Sequence, residues 1–543
     1  MLIDSTIIPG FAPDPSITRI GNTFFLVNSS FHLFPGLPIY ASSDLRNWKH
    51  IGNAINRQSQ LSLAESSALI HDRGVTNLVG TGRLWAPTIR HHDGVSYIVC
   101  TNVVHPEIEG KPTWPRFDNF ILRTTDIWAG SWSDPVPFEF NGIDPDIFFD
   151  DDGHVYIMGS SWNTDAGAIN GFEVDINTGA KVSEERVIWT GAIKNPPEGP
   201  HVYKRDGWYF LLISEGGTHD NHQMSIARSR SPLGPYEPYE GNPVLKPTAK
   251  IETEIMYTGH GDLFQDNEGE WWLTCLGVRK VRRGQSIMGR ETFLTPAKWT
   301  IGDPENLWPM IQQPITSVAE LSSDKVGQFT SHAGVDWVWV RDPDMTRYKV
   351  DSTGKSVSLQ PCSPEAKVKG APATITFIGK RQRQLTGHAR AVLRQAQLVG
   401  KNTLSGLMYY KDEHRHASIT FDSMASTVVF QVVNKVKREP IHKREIVRHL
   451  KSADEADPND IEFFLVHTEL CMEFYYRFCL PNNHSGNLLE ASWSAAGSFD
   501  TEDMSDLDFT GPCIGLFASH AVEPGEIVSN EAVWCEFHSV KLL

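Results

Sequence analysis

The sequence predicts an all-β chain, a five-bladed β-propeller followed by a C-terminal antiparallel β-sandwich. Three observations lead there. A short grammar of apolar run, glycine turn and aromatic strand recurs five times before residue 300. That repeat stops after Trp308-Pro309. The remainder alternates in many short stretches with no helical period, the pattern of packed antiparallel strands.

The clearest copy reads IDPDIFFDDDGHVYI over residues 143–157, where Asp152-Gly153 turns one apolar run into the next. Aligning Ile17, Ile89, Ile147, Val202 and Leu263 places a turn glycine after each, at Gly21, Gly94, Gly153, Gly207 and Gly269. An aromatic strand follows every turn, as in Phe24-Phe25-Leu26-Val27 and Trp208-Tyr209-Phe210-Leu211. Three residues before the apolar markers stand Asp14, Ala86, Asp144, Gly199 and His260, at intervals of about 55 to 72 residues, the length of a four-stranded blade with loops.

Radial blades bring equivalent positions to a common axis. Asp14, Asp144 and, one residue early in its copy, Glu198 then converge. A lone Asp beside Pro is an ordinary turn residue, but a turn residue has no reason to recur in phase with a hairpin. Several carboxylates on one axis repel, so their recurrence points to chemistry.

Composition narrows the partners. With 49 basic against 66 acidic residues, the net charge of −17 is a poor match to nucleic acid or an anionic membrane. No run approaches the ~20 apolar residues of a membrane helix. Sixteen Trp could supply stacking faces for sugar rings, although core packing will claim most of them. Seven scattered Cys form neither a metal spacing nor a disulfide framework, and the amino terminus lacks a basic, then apolar leader. The expectation is therefore a cytoplasmic protein with free thiols, no cofactor and no metal, a homo-oligomer being left open. The sequons at Asn28 and Asn483 are expected to be unused.

Taken in order, Pro13-Asp14-Pro15 holds a carboxylate between two fixed φ angles. Phe31 and His32 follow in a loop placed to border the axis. Trp85-Ala86 opens the second copy, where Trp85 can stack on a ligand or pack in the core. Residues 114–135 read as outer strands. Glu198-Gly199-Pro200-His201 opens the fourth copy, and Ser214-Glu215-Gly216-Gly217-Thr218 would let a ligand approach the backbone. His260 takes the acid's place in the fifth, and Arg290 falls where the last blade should close. A Gln-, Ser- and Pro-rich linker to about Gly334 separates an expected propeller of residues 1–315 from a sandwich of residues 330–543. The basic run from Lys435 to Lys451 is read as a solvated hairpin.

Two carboxyls across a sugar pocket can cleave a glycosidic bond with inversion, one protonating the leaving oxygen and the other deprotonating water. A third can hold the proton on the acid. The PDPS around Asp14, the IDP at Asp144, the EGPH at Glu198, the EGGT at Glu215 and the GRET at Arg290 together resemble glycoside hydrolase family 43, in its branch of two-domain β-xylosidases and α-L-arabinofuranosidases. The resemblance implies an inverting, exo-acting enzyme releasing pentose from the non-reducing ends of oligosaccharides. It implies Asp14 as general base, Glu198 as general acid and Asp144 as the residue that orients the acid and tunes its pKa. It further implies that Phe31, Trp85, Ala86, Thr218, His260 and Arg290 line the sugar pocket, and that the trailing domain is the family's concanavalin-like sandwich. Cys513, in TGPCIG, stands where relatives often carry Phe, which implies a roomier pocket. An endo-acting arabinanase and a non-catalytic sugar-binding propeller are the other readings; the second would need no acid triad. The retaining five-bladed fructosidases are set aside because their NDPNG and Glu-Cys signatures are missing.

Overall fold

The computed structural model describes residues 5–64, 67–74, 76–108, 111–112, 114–163, 167–193, 195–246, 255–280, 286–299, 308–315, 328–362, 376–395, 397–449, 460–479, 492–520 and 533–542. Contacts divide the chain into two units, Met1–Ser62 with Gly82–Lys280 and Arg290–Val335, and Leu63–Thr81 with Val281–Gly289 and Asp336–Leu543. The span of residues 1–315 expected for the propeller is thus interrupted twice. The reason lies in packing. Ala68–Asp72 and Asn77–Thr81 form a hairpin whose second strand pairs in parallel with Leu507–Asp508. Ile287 and Met288 are buried in the core of the second unit.

Among the described residues the first unit holds five blade sheets, antiparallel but for one parallel edge pairing, and a two-stranded ribbon of Glu107–Ile108 with Lys111–Pro112. The inner strands of the blades are Ser16–Ile20, Thr88–His92, Gly142–Phe149, Glu198–Arg205 and Ile255–Gln265. Each contacts the next and the last contacts the first, so the blades close into a ring. The turn glycines behave as the repeat requires, with φ between +59° and +88° in all five hairpins. Closure uses an element the repeat does not announce. Thr6–Ile8, three residues long, adds to Glu291–Lys298 as the outer strand of the fifth blade. Phe329–Ser331, at the end of the expected linker, pairs in parallel with Trp48 to His50 of the first blade.

The tops of the inner strands share one distortion. The ladder skips Asp144-Pro145, Gly199-Pro200 and His260, leaving a β-bulge in the third, fourth and fifth blades. Asp144, Gly199, His260 and the corresponding Asp14 all have left-handed backbones, with φ of +54°, +55°, +43° and +53°. A bulge re-aims its side chain out of the pleat, and left-handed φ at three non-glycine residues costs about 1 to 3 kcal/mol each, strain that collects at functional sites.

The second unit is a sandwich. One sheet runs in the order Ile441–His449, Thr427–Asn434, Arg415–Asp422, Leu404–Asp412, Cys513–Ser519, Thr376–Arg381, Val338–Val340. The other, seven-stranded, runs Tyr348–Val350, Val357–Leu359, Cys535–Leu542, Gly387–Arg394, Asp460–His467, Cys471–Cys479, Ser494–Asp500. Inward residues of both, among them Leu407, Ile419, Phe430, Phe463, Phe474 and Leu516, form one core. The basic run is a largely exposed edge strand, Ile441–His449, whose charges discourage further pairing. Cys513 is buried at the start of its strand, opposite Arg381 and Tyr410. The seven cysteines form no disulfide with one another. Asn28 is buried and donates to the carbonyls of Ala12 and Pro13, which leaves its sequon inaccessible; Asn483 lies outside the described residues.

Candidate active site

The structure gathers the expected residues at the bulged ends of the inner strands. Arg290 is the hub. Its Nη1 donates to Asp14 Oδ1 at 3.1 Å and to Thr218 Oγ1 at 3.3 Å, and its guanidinium lies 5.5 Å from the centre of the Phe31 ring. Phe31 in turn lies 6.4 Å from Trp85, ring centre to ring centre, and Ala86 is buried beside that indole in the chain. His260 Nδ1 sits between two acids, 4.0 Å from Asp14 Oδ1 and 3.9 Å from Asp144 Oδ2. The Gly199 amide donates to Asp144 Oδ2 at 3.1 Å, which ties the third blade's acid to the residue following Glu198. Seven of the nine residues assigned to the site, Asp14, Phe31, Trp85, Asp144, Thr218, His260 and Arg290, are thus joined by contacts, and Ala86 and Glu198 stand next in the chain to Trp85 and to Gly199.

Gly199 is glycine for two reasons that the structure makes explicit. Its φ is left-handed, and a Cβ there would stand 3.0 Å from the His260 ring. The EGPH motif thus packs an imidazole against bare backbone.

Electrostatics separates the three acids. Asp14 is an acceptor twice over, from Arg290 and from Ser29 Oγ. Burial, and then the charge of Asp14, push the Glu198 carboxyl up to about 7, although a quarter of its side chain still meets solvent. Burial, Glu198 and Asp14 together hold Asp144 well above the ordinary carboxylate range. The three cannot all be ionised together at neutral pH, so the site retains a proton near the position from which an acid must deliver it.

Sequence reasoning missed two contributors. His222 is fully buried, donates from Nδ1 to the Tyr257 carbonyl at 2.9 Å, and places Nε2 3.7 Å from Glu198 Oε1. Burial drives both His222 and His260 down to about 4, so both are neutral beside the acids. A signal did exist. Gly259 leaves room for His222, since a Cβ there would come within 2.3 Å of the ring. Ser29 is the other, a bland residue in an aromatic loop. By contrast, Glu215 and Glu291 of the recognised motifs are structural. Glu215 accepts from the amides of Ala192 and Ile193 and from Ser225, while Glu291 pairs with Arg279 at 2.7 Å. Among the described residues no group of three or more His, Cys, Asp or Glu is arranged to hold a metal ion.

A buried set of three carboxyls, one proton-bearing and one paired with a guanidinium, is the equipment of a glycoside hydrolase. Comparison with known proteins agrees. Residues 3–304 match glycosyl hydrolases family 43, and residues 328–537 match the β-xylosidase C-terminal concanavalin A-like domain, so the chain belongs to that family. It is 37% identical over 547 residues to a xylosidase/arabinosidase of Butyrivibrio fibrisolvens, covering 96% of each chain. It is 31% identical over 535 residues to a non-reducing end α-L-arabinofuranosidase of Bacteroides ovatus, covering 94% of this chain and 90% of that one. Among solved structures, the Bacteroides ovatus xyloglucan-locus GH43B superposes with a TM-score of 0.76 at 28% identity, covering all of both chains.

Proposed function

We propose that the protein is an exo-acting pentosidase that removes β-D-xylose and α-L-arabinofuranose from the non-reducing ends of oligosaccharides with inversion. Asp14, fixed by Arg290 and Ser29, takes a proton from water as its oxygen attacks the anomeric carbon. Glu198 gives its proton to the glycosidic oxygen as the bond breaks. Asp144, whose Oδ2 accepts from the Gly199 amide, is tied to the residue after Glu198 and orients that acid, while burial and the charge of Asp14 oppose ionisation there. Asp14 then releases its proton to solvent and Glu198 regains one. The observation that carries this reading is the convergence of the three acids with Glu198 held at about 7, protonated where an acid must be.

The pocket argues for a pentose. Phe31, Trp85 and Arg290 pack against one another; in this reading they wall the sugar, and a xylopyranose lacks the hydroxymethyl group that a hexose would carry into them. Overlap of that size is worth roughly 1 to 3 kcal/mol of discrimination. One full-length relative is named a xylosidase/arabinosidase and another a non-reducing end α-L-arabinofuranosidase, which supports dual activity. The test is hydrolysis of aryl β-D-xylopyranoside, α-L-arabinofuranoside and β-D-glucopyranoside, with xylo-oligosaccharides followed by product size. Pentose release one unit at a time is expected. Cleavage of the glucoside alone, or of interior bonds, would overturn the assignment.

A further inference from the structure

Beneath the acids lies a second polar layer that the proposed chemistry leaves unused. Two residues after Asp14, Asp144, Gly199 and His260 come Ser16, Asp146, His201 and Asp262, all buried. Every one of them meets the same side chain, Arg90. Its Nη1 donates to Asp262 Oδ2 at 2.7 Å, to Ser16 Oγ at 3.2 Å and to the Ile89 carbonyl at 2.9 Å. Its Nη2 reaches Asp146 Oδ1 and His201 Nδ1, each at 3.0 Å, and Asp262 Oδ1 at 3.3 Å. The outer bonds of the layer close it further. Tyr203 Oη donates to Asp262 Oδ1 at 2.8 Å and accepts from the Leu263 amide, while Asp146 Oδ2 accepts from the Val202 amide at 2.8 Å.

The guanidinium belongs to the second blade, the one whose marker position is Ala86 and carries no polar group. It therefore joins all five blades through one planar fork, whose fixed donor geometry a point charge cannot copy. Asp146 and Asp262 have side chains 0% and 1% exposed, and no other cation among the described ion pairs reaches either, His201 aside. Two buried carboxylates without their cation would separate, take up water or protonate. Each lies two residues from a bulge whose left-handed residue it anchors, so a shift in this layer is transmitted directly to Asp144 and His260, and through Ser16 and His201 to Asp14 and Glu198.

We propose that Arg90 is a positioning residue for hydrolysis: it sets the separation of the base on blade one from the acid on blade four without touching the sugar. The inference rests on the reading of Asp14 and Glu198 given above. A base and an acid that must act in one transition state are sensitive to misplacement by as little as about 1 Å, which can cost ~100-fold in rate, whereas the wall formed by Phe31, Trp85 and Arg290 lies outside the layer.

The test is steady-state kinetics of Arg90→Gln, Arg90→Lys and the milder Tyr203→Phe on whichever aryl glycoside the wild type cleaves, with active protein quantified by folded fraction. The expected result is a kcat lowered ~100-fold in Arg90→Gln and less in Arg90→Lys, a smaller loss in Tyr203→Phe, and KM within about threefold throughout. If Arg90→Gln does not fold, the ordering of the other two decides. Variants that melt earlier but keep wild-type kcat per folded molecule would overturn the proposal and leave Arg90 a structural tie, as would a loss confined to KM. A wild type that cleaves no pentoside would instead overturn the functional reading, and the same variants on its true substrate would still test this one.

Discussion

The two layers of the propeller axis stand two residues apart on the same strands, yet they treat carboxyl groups in opposite ways. In the upper layer burial pushes both Asp144 and Glu198 up, the charge of Asp14 adding to both and that of Glu198 adding to Asp144. In the lower layer burial also opposes charge, but Arg90 overrides it and holds Asp262 down to about 2. Burial opposes charge in both layers, so the difference is made by the placement of cations. Arg90 neutralises the lower pair directly, whereas Arg290 pairs with Asp14 and acts on Asp144 and Glu198 only as a lesser influence against burial. A scaffold that wants stable ions supplies a fork between them, and a site that needs a transferable proton withholds it.

The contrast can be broken most forcefully from above. Asp14→Asn should lower kcat by at least ~10³-fold on every substrate, because water must be deprotonated whatever leaves. Its folded structure, judged by circular dichroism and melting, should persist. Glu198→Gln should lose ~10² to 10⁴-fold on sugar or alkyl leaving groups and far less on activated aryl glycosides that depart unaided. Equal losses across leaving groups would remove Glu198 from the acid role. The wild-type kcat/KM on a poor leaving group should fall as pH rises through about 7, where Glu198 gives up its proton.

Stability sharpens the comparison, because the two layers should respond to pH with opposite sign. Glu198 has a folded pKa raised from 4.5 to about 7, so ionisation favours the unfolded chain, and wild-type stability is lost as pH rises across that window. Glu198→Gln should therefore melt later than wild type above pH 7, by on the order of 2 kcal/mol, with the difference gone near pH 4.5. Asp262 is the reverse case. Its pKa is lowered from 3.8 to about 2, so its contribution is present above 3.8 and is lost as pH falls towards 2. Asp262→Asn should accordingly lose stability at neutral pH and converge on wild type in acid. The smallest effect is expected at Gly199→Ala, where a left-handed backbone and a contact 3.0 Å from His260 should cost about 1 to 2 kcal/mol and lower kcat modestly.

The upper layer was legible in the sequence because its acids recur in phase with glycine turns, and phase is visible in a single chain. The lower layer was not, because its positions mix a serine, a histidine and two aspartates, and Arg90 enters from a position four residues after Ala86, out of phase with them. The bulges that aim the upper side chains depend on backbone angles that no residue pattern spells out; Asp14 and Asp144 look like ordinary Asp-Pro turns. Other gaps have similar causes. Thr6–Ile8 is too short to show a period. The hairpin of Ala68–Asp72 and Asn77–Thr81 is readable as a hairpin, but which core it joins is decided by Glu413 and Leu507–Asp508, hundreds of residues away. In the sandwich, charged and small residues interrupt the alternation of Gly387–Arg394, Leu404–Asp412 and Ser494–Asp500, so the pattern does not reveal these strands.

The central claim is that Asp14 acts on water and never bonds to the sugar. Proton NMR of the first turnovers on an aryl β-D-xyloside decides it, since the newly released sugar can be seen before it mutarotates. Release of the α-anomer is the predicted result, inversion by a water held between base and sugar. First release of the β-anomer would mean a covalent glycosyl-enzyme, and would contradict the role assigned to Asp14.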